Sequence, residues 1–183
     1  MSKVELAQNF ARERHSKSAR KEDVTLQHEH LTGVVARLKN LGISDDDVLS
    51  AAWLHDIINE TATPFDELDK RFGSRVAVLV LGLSIDKNIA RAIQEEQYVK
   101  QLRDSPFEVK LIKLCDISAN LRDLKNTSIS KTRKIKYIKK MRHHLNVIKP
   151  ELDKKKSDVP GISSLINGIN DVILSFGLKP VTL

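Results

Sequence analysis

The sequence predicts an all-α protein, a single bundle of about eight to nine helices. Three observations carry this. Apolar residues recur at helical spacing in almost every segment. Gly and Pro are sparse, seven and five in 183 residues. No stretch alternates apolar and polar side chains as a half-buried strand would.

Taken in order, Val4–His15 forms a first helix, followed by a polar link holding Arg20 and Lys21. Leu26–Leu41 repeats apolar residues at Leu31, Val34, Val35, Leu38 and Leu41, and Gly42 stops it. Ser44 caps the next helix, with Asp45, Asp46 and Asp47 in its first turn, where the helix dipole favours negative charge. That helix runs to about Glu60. Thr63-Pro64 opens another, proline suiting a first position, and Gly73 ends it. Val76–Leu83 is short enough for a strand, but its helical neighbours and the Phe72-Gly73 break favour a buried helix. Further helices are expected over 86–104, 107–125, 128–148 and 162–176. Lys149–Gly161, with two prolines and four lysines, reads as a mobile connector to a weakly attached last helix.

Composition narrows the function classes. No apolar run approaches the ~20 residues needed to span a bilayer, so no membrane role is expected. The start lacks the apolar core of a signal peptide. One cysteine, Cys115, excludes an internal disulfide and makes the cytoplasm the expected compartment. The net charge of +7 is unevenly placed. Residues 1–124 carry 18 basic and 20 acidic side chains, whereas 125–156 carry 12 and 2. Such a segment suits nucleic acid, a membrane surface or a polyphosphate ligand.

The chemistry concentrates in Ala51-Ala-Trp-Leu-His55-Asp56-Ile-Ile-Asn59-Glu60. Burying an adjacent His-Asp pair in an apolar helix is costly unless something compensates it, and a divalent cation is the usual compensation. Adjacent helical residues point about 100° apart and can share one ion, while Asn59 and Glu60 return to the same side one turn later. His30 sits on the preceding helix, folded back by the Gly42-Ile43 turn. Asp116 interrupts the apolar series Val109, Leu111, Ile112, Leu114, Ile117, and Asn120 lies one turn beyond it. Each residue alone has an ordinary explanation: a lone histidine is usually structural, and Asp116 can cap or pair with Arg122. Together, two imidazoles and two carboxylates form a nitrogen–oxygen set suited to Mn, Fe or Zn. His15, His28, His143 and His144 read as structural or surface residues.

These residues resemble the HD phosphohydrolase superfamily, and more closely the alarmone hydrolases: the hydrolase half of Rel/SpoT proteins and their small single-domain relatives. His30-Leu-Thr-Gly33, Phe72-Gly73-Ser-Arg-Val76 with the run to Asp86-Lys87, and Lys113-Leu-Cys-Asp116-Ile-Ser-Ala-Asn120-Leu-Arg122 are similar to that family's blocks across residues 8–140. The resemblance implies a phosphohydrolase domain over 1–148, the connector at 149–161, and a C-terminal helix and tail, 162–183, packed on the same domain. It implies one divalent metal, typically Mn2+ with Fe2+ or Zn2+ as alternatives, held by His30, His55, Asp56 and Asp116. By position, Arg20 and Lys21 contact base and phosphates, and Asn120 touches the nucleoside. Lys87 and Arg91 present cations to phosphate, and Arg133 with Tyr137 closes the pocket. The reaction implied is removal of the 3′-pyrophosphate of ppGpp, giving GDP and pyrophosphate. Some small relatives also remove the 2′-phosphate of NADPH.

One departure stands out. Where the family carries Glu-Asp, this chain carries Asn59-Glu60, so one acid/base carboxylate is missing and Glu60 is left to orient or deprotonate the attacking water. An inactive or slow nucleotide-binding domain is the plainer alternative. Residues 131–142 hold seven basic side chains in twelve, over the apolar stripe Ile135, Ile138, Met141, Leu145 and Ile148. A packed amphipathic helix with a solvated basic face is the expected reading. Nucleic-acid binding is disfavoured, because aromatic residues are 4% of the chain and stacking platforms are scarce.

Overall fold

A computed structural model describes the backbone of residues 1–18 and 21–182 and the side chains of 1–17 and 27–182. Among the described residues every regular element is helical: α1 (Lys3–Ser18), α2 (Lys21–Asn40), α3 (Asp46–Leu54), α4 (Ile57–Glu60), α5 (Phe65–Phe72), α6 (Ser74–Leu83), α7 (Arg91–Asp104), α8 (Phe107–Leu124), α9 (Lys131–Lys155) and α10 (Gly161–Ser175). None is long and apolar enough to cross a membrane.

The molecule is organised around α8, which packs against α2, α6, α9 and α10. Twelve of its eighteen residues are buried, so it is enclosed on all sides rather than along one stripe. Three of the twelve are Lys110, Lys113 and Asp116, and charge in such a place requires a partner. On α2, Leu31, Val34, Val35 and Leu38 form the buried face that turns the helix against α8 and α3. Gly33 lies where Arg37 crosses: a Cβ there would stand 3.1 Å from the Arg37 guanidinium. Arg37 Nε donates to Ser118 Oγ at 3.0 Å, tying α2 to α8.

Four expectations need correction. The cap of α3 is Asp45 rather than Ser44, and its carboxylate accepts from the backbone of Asp47 and Val48. The helix expected from 44 to about 60 breaks at His55-Asp56 and restarts as the single turn α4. Asp56 has φ −95 and ψ −7, outside the helical minimum, and its carbonyl accepts from both Asn59 and Glu60. The expected connector is largely helix, since α9 runs through Pro150 to Lys155 and only 156–160 links it to α10. Ile148 and Leu152, both fully buried, hold this stretch against the core, and a Lys149–Asp153 ion pair spans the proline. The last helix is not weakly attached: Ile162, Ile166, Ile169 and Ile173 are all buried, and α10 lies on α8.

Of the two readings open for His144, structural or surface, the structure gives the first, since the side chain is buried. Its Nε2 lies 2.6 Å from Glu95 Oε1, and its Nδ1 has no partner. Burial, reinforced by the Lys113 charge, pulls His144 down to about 4 despite the Glu95 carboxylate. Its ordinary value is 6.5, so between those limits the unfolded chain takes up a proton that the folded chain refuses. Stability should therefore fall as pH drops below about 6.5 and level off near 4, by up to about 3 kcal/mol. Urea unfolding at a series of pH values measures this, and His144→Gln should flatten the profile.

Candidate metal centre

Three elements deliver the site. His30 comes from the middle of α2, His55 and Asp56 from the break between α3 and α4, and Asp116 from the enclosed helix α8. The break is what lets an adjacent pair serve one point, because Asp56 leaves the helical path while His55 still follows it.

Their atoms converge. His55 Nε2 lies 3.2 Å from Asp56 Oδ2 and 3.5 Å from Asp116 Oδ1. His30 Nε2 lies 3.2 Å from the same Asp116 oxygen. One ligand atom each from His30, His55 and Asp56 falls within 4.8 Å of the others. A surrounding layer orients them. His55 Nδ1 is 2.8 Å from the Ala52 carbonyl, which makes Nδ1 the N–H donor and directs Nε2 at the carboxylates. Gln27 donates to Asp56 Oδ2 at 3.0 Å, and Asp123 approaches His30 Nδ1 at 3.8 Å. Asp116 is held twice, by Asn120 at Oδ1 (2.6 Å) and by Lys113 at Oδ2 (2.8 Å).

Whether these residues suit a cation is answered by His55. Its Nε2 is fully enclosed and has no hydrogen-bond partner, a cost that an N-ligated metal removes. Two imidazoles and two carboxylates form a borderline donor set that fits a divalent transition ion. The electrostatics agree. Burial opposes charge at each position, yet the carboxylates of Asp56 and Asp116 together raise His55 well above its ordinary value. Burial is likewise outweighed at Asp56, lowered to about 2 chiefly by the His55 charge, and at Asp116, held well below the carboxylate range first by Lys113. Negative charge is thus fixed at the point of convergence.

Asn59 does not join them. Its Nδ2 donates to the Ile85 carbonyl at 2.8 Å and its Oδ1 accepts from the Ile85 amide at 2.9 Å. The side chain is a clasp between α4 and the 84–90 loop, because the break at Asp56 swings α4 away from the path assumed for a continuous helix. Lys87 adds to the clasp by donating to the Asn59 carbonyl. Glu60 is a further carboxylate beside the cluster. Burial and the Asp56 charge push it up to about 7, and His15 Nδ1 stands 3.5 Å behind its Oε2.

Of the other expected residues, Asn120 sits at the site but spends its amide on Asp116. Tyr137 is half-buried, and burial followed by the Asp116 charge pushes its phenol above the ordinary range. Arg91 opens α7 and Arg133 lies in the first turn of α9, both exposed. The side chains of Arg20 and Lys21 lie outside the described residues. Sequence reasoning missed Lys113, Gln27 and His15. For Lys113 a signal existed: a lysine three residues before an aspartate, on a helix apolar around its whole circumference, has nowhere to go but that aspartate.

Metal loading must displace the proton that the two carboxylates favour on His55. Mn2+ affinity should therefore rise with pH, with proton release on binding. Calorimetry in buffers of differing ionisation enthalpy reads both quantities. Asn59→Ala leaves both Ile85 backbone groups unpaired and should cost about 2 kcal/mol in thermal or urea unfolding.

Comparison with known proteins agrees with the architecture. A family model described as "HD domain" matches residues 7–141. A zebrafish (Danio rerio) protein named guanosine-3′,5′-bis(diphosphate) 3′-pyrophosphohydrolase MESH1 is 40% identical over 118 residues, covering 63% of this chain and 66% of that protein. The chain thus matches just under two thirds of that relative's length. An Aquifex aeolicus protein named guanosine-3′,5′-bis(diphosphate) 3′-pyrophosphohydrolase is 32% identical over 163 residues, 82% of this chain but 23% of its own length. The solved structure described as "a metazoan ortholog of SpoT hydrolyzes ppGpp and plays a role in starvation responses" superposes with a TM-score of 0.80 over 97% of each chain, at 24% identity, which establishes the shared fold. The family match spans all four converging side chains, and the chain belongs to the HD-domain family.

Proposed function

We propose that this protein is a metal-dependent pyrophosphohydrolase acting on ppGpp or a closely related phosphorylated nucleotide. His30, His55, Asp56 and Asp116 are the ligands and Mn2+ is the working ion, with Fe2+ and Zn2+ as the alternatives this donor set admits. The observation that carries the reading is the enclosed, partnerless His55 Nε2 directed at two carboxylates. It occurs in a chain similar to proteins named for this reaction.

When bound, the cation supplies Lewis acidity, acidifying water and neutralising charge on phosphoryl oxygens. The chain's own residues account for the rest. Glu60, poised near neutrality, is suited to take the proton of the attacking water. Asn59 contributes no proton transfer, but it fixes the Ile85 backbone, and its carbonyl accepts from the Lys87 ammonium. Tyr137 and the exposed Arg91 and Arg133 are assigned to the nucleotide and its phosphates. The exposed lysines of α9 raise the local potential for an anionic ligand.

Incubation of Mn2+-loaded protein with ppGpp should release pyrophosphate and leave GDP. His55→Ala should abolish release, and Glu60→Gln should lower kcat by roughly 10²–10⁴-fold with little change in KM. Release of inorganic phosphate from NADPH in place of pyrophosphate would reassign the substrate. No turnover with Mn2+, Fe2+ or Zn2+ would overturn the reading.

A further inference from the structure

Lys113 is the one buried ammonium in contact with the converging carboxylates among the described side chains, and the role proposed above does not use it. Its Nζ lies 2.8 Å from Asp116 Oδ2 and 5.5 Å from the centre of the Tyr98 ring, so the charge sits between a carboxylate and an aromatic face. Tyr98 is anchored by its hydroxyl, which donates to the Leu83 carbonyl at 3.2 Å. Behind it, His144 packs edge-on at 5.3 Å and reaches Glu95, which Lys140 pairs at the surface at 2.9 Å. The ammonium is therefore wedged in place by three helices and cannot swing out to water.

A fixed cation here acts on a divalent ion in two opposite ways. By holding Oδ2 it leaves Oδ1 of Asp116 turned toward His30 and His55, the orientation a ligand needs. By its charge it repels a second cation arriving across the same carboxylate, through an interior that screens poorly. Once His55 has given up its proton, two carboxylates with one ammonium leave a single net negative charge, which a dication turns into a single net positive charge. The loaded site thus presents positive charge to a phosphate, while a site without the lysine would be neutral once loaded.

We propose that Lys113 is a resident counter-cation: it keeps Asp116 in place before metal enters and competes electrostatically with the metal afterwards. The site is preassembled at the expense of affinity for its own ion. The inference rests on the metal-ligand assignment above but not on the reaction.

The test compares wild type with Lys113→Met and Lys113→Gln, measuring Mn2+ affinity by calorimetry and thermal midpoints with and without Mn2+. Glutamine keeps a donor for Asp116 without the charge, so it separates charge from orientation. Both variants should melt earlier than wild type without metal, bind Mn2+ on the order of tenfold more tightly, and show a larger metal-induced rise in midpoint. A variant that folds only with Mn2+ supports the proposal equally. Tyr98→Leu, which removes the ring beneath the ammonium, should shift the same quantities in the same direction by less. Equal destabilisation with and without metal, including failure to fold in either condition, or affinity that is unchanged or weakened, would overturn the counter-cation role. A wild type that binds no divalent ion would overturn the ligand assignment as well, which distinguishes the two failures.

Discussion

The rest of the molecule depends on a carboxylate in a place where charge is hard to keep. Asp116 sits midway along a helix enclosed by five others, 5% exposed, and its ionised form survives only through what surrounds it. Lys113 and Asn120 come from its own helix, one turn to either side, while His30 and His55 come from two others. Each partner is itself fixed by packing: α2 through its apolar face and the Arg37 tie, His55 through the Ala52 carbonyl, Lys113 through Tyr98. Removing the charge would leave several oriented polar groups with nothing to orient toward. The site and the core are the same construction here.

Much of this was legible in the sequence, for physical reasons. Helices advertise themselves by apolar spacing, and α2, α6, α8 and α10 fall within a few residues of expectation because their buried faces are long and regular. The cluster of His30, His55, Asp56 and Asp116 was legible because charge embedded in apolar helices is rare enough to demand an explanation. The break at His55-Asp56 was not. No glycine or proline marks it, and its cause is the convergence of three helices on one point. The continuation of α9 through Pro150 was hidden for the opposite reason: a strong local breaker is overridden by Ile148 and Leu152 in the core. Tertiary packing settled both cases, and it leaves little trace in local propensity.

The layer around the ligands was the least legible part. Gln27, Ala52 and Asp123 act at Asp56, His55 and His30 through contacts between helices or through backbone atoms, which no spacing rule encodes. Lys113 was partly legible, because its partner lies on the same helix. His15 shows how far a reading by residue type can stray. A histidine in the first helix is ordinarily unremarkable, yet here it is buried behind Glu60 at the α1–α4 contact.

The clasp at Asn59 bears on how this chain can change over time. Its carboxamide matches the Ile85 amide and carbonyl simultaneously, a pairing no carboxylate can reproduce because it has no hydrogen to give. Position 59 is therefore tied to the loop it fastens: an aspartate or glutamate there would set a carboxylate against the Ile85 carbonyl, so an acid introduced at this position would also loosen the 84–90 loop.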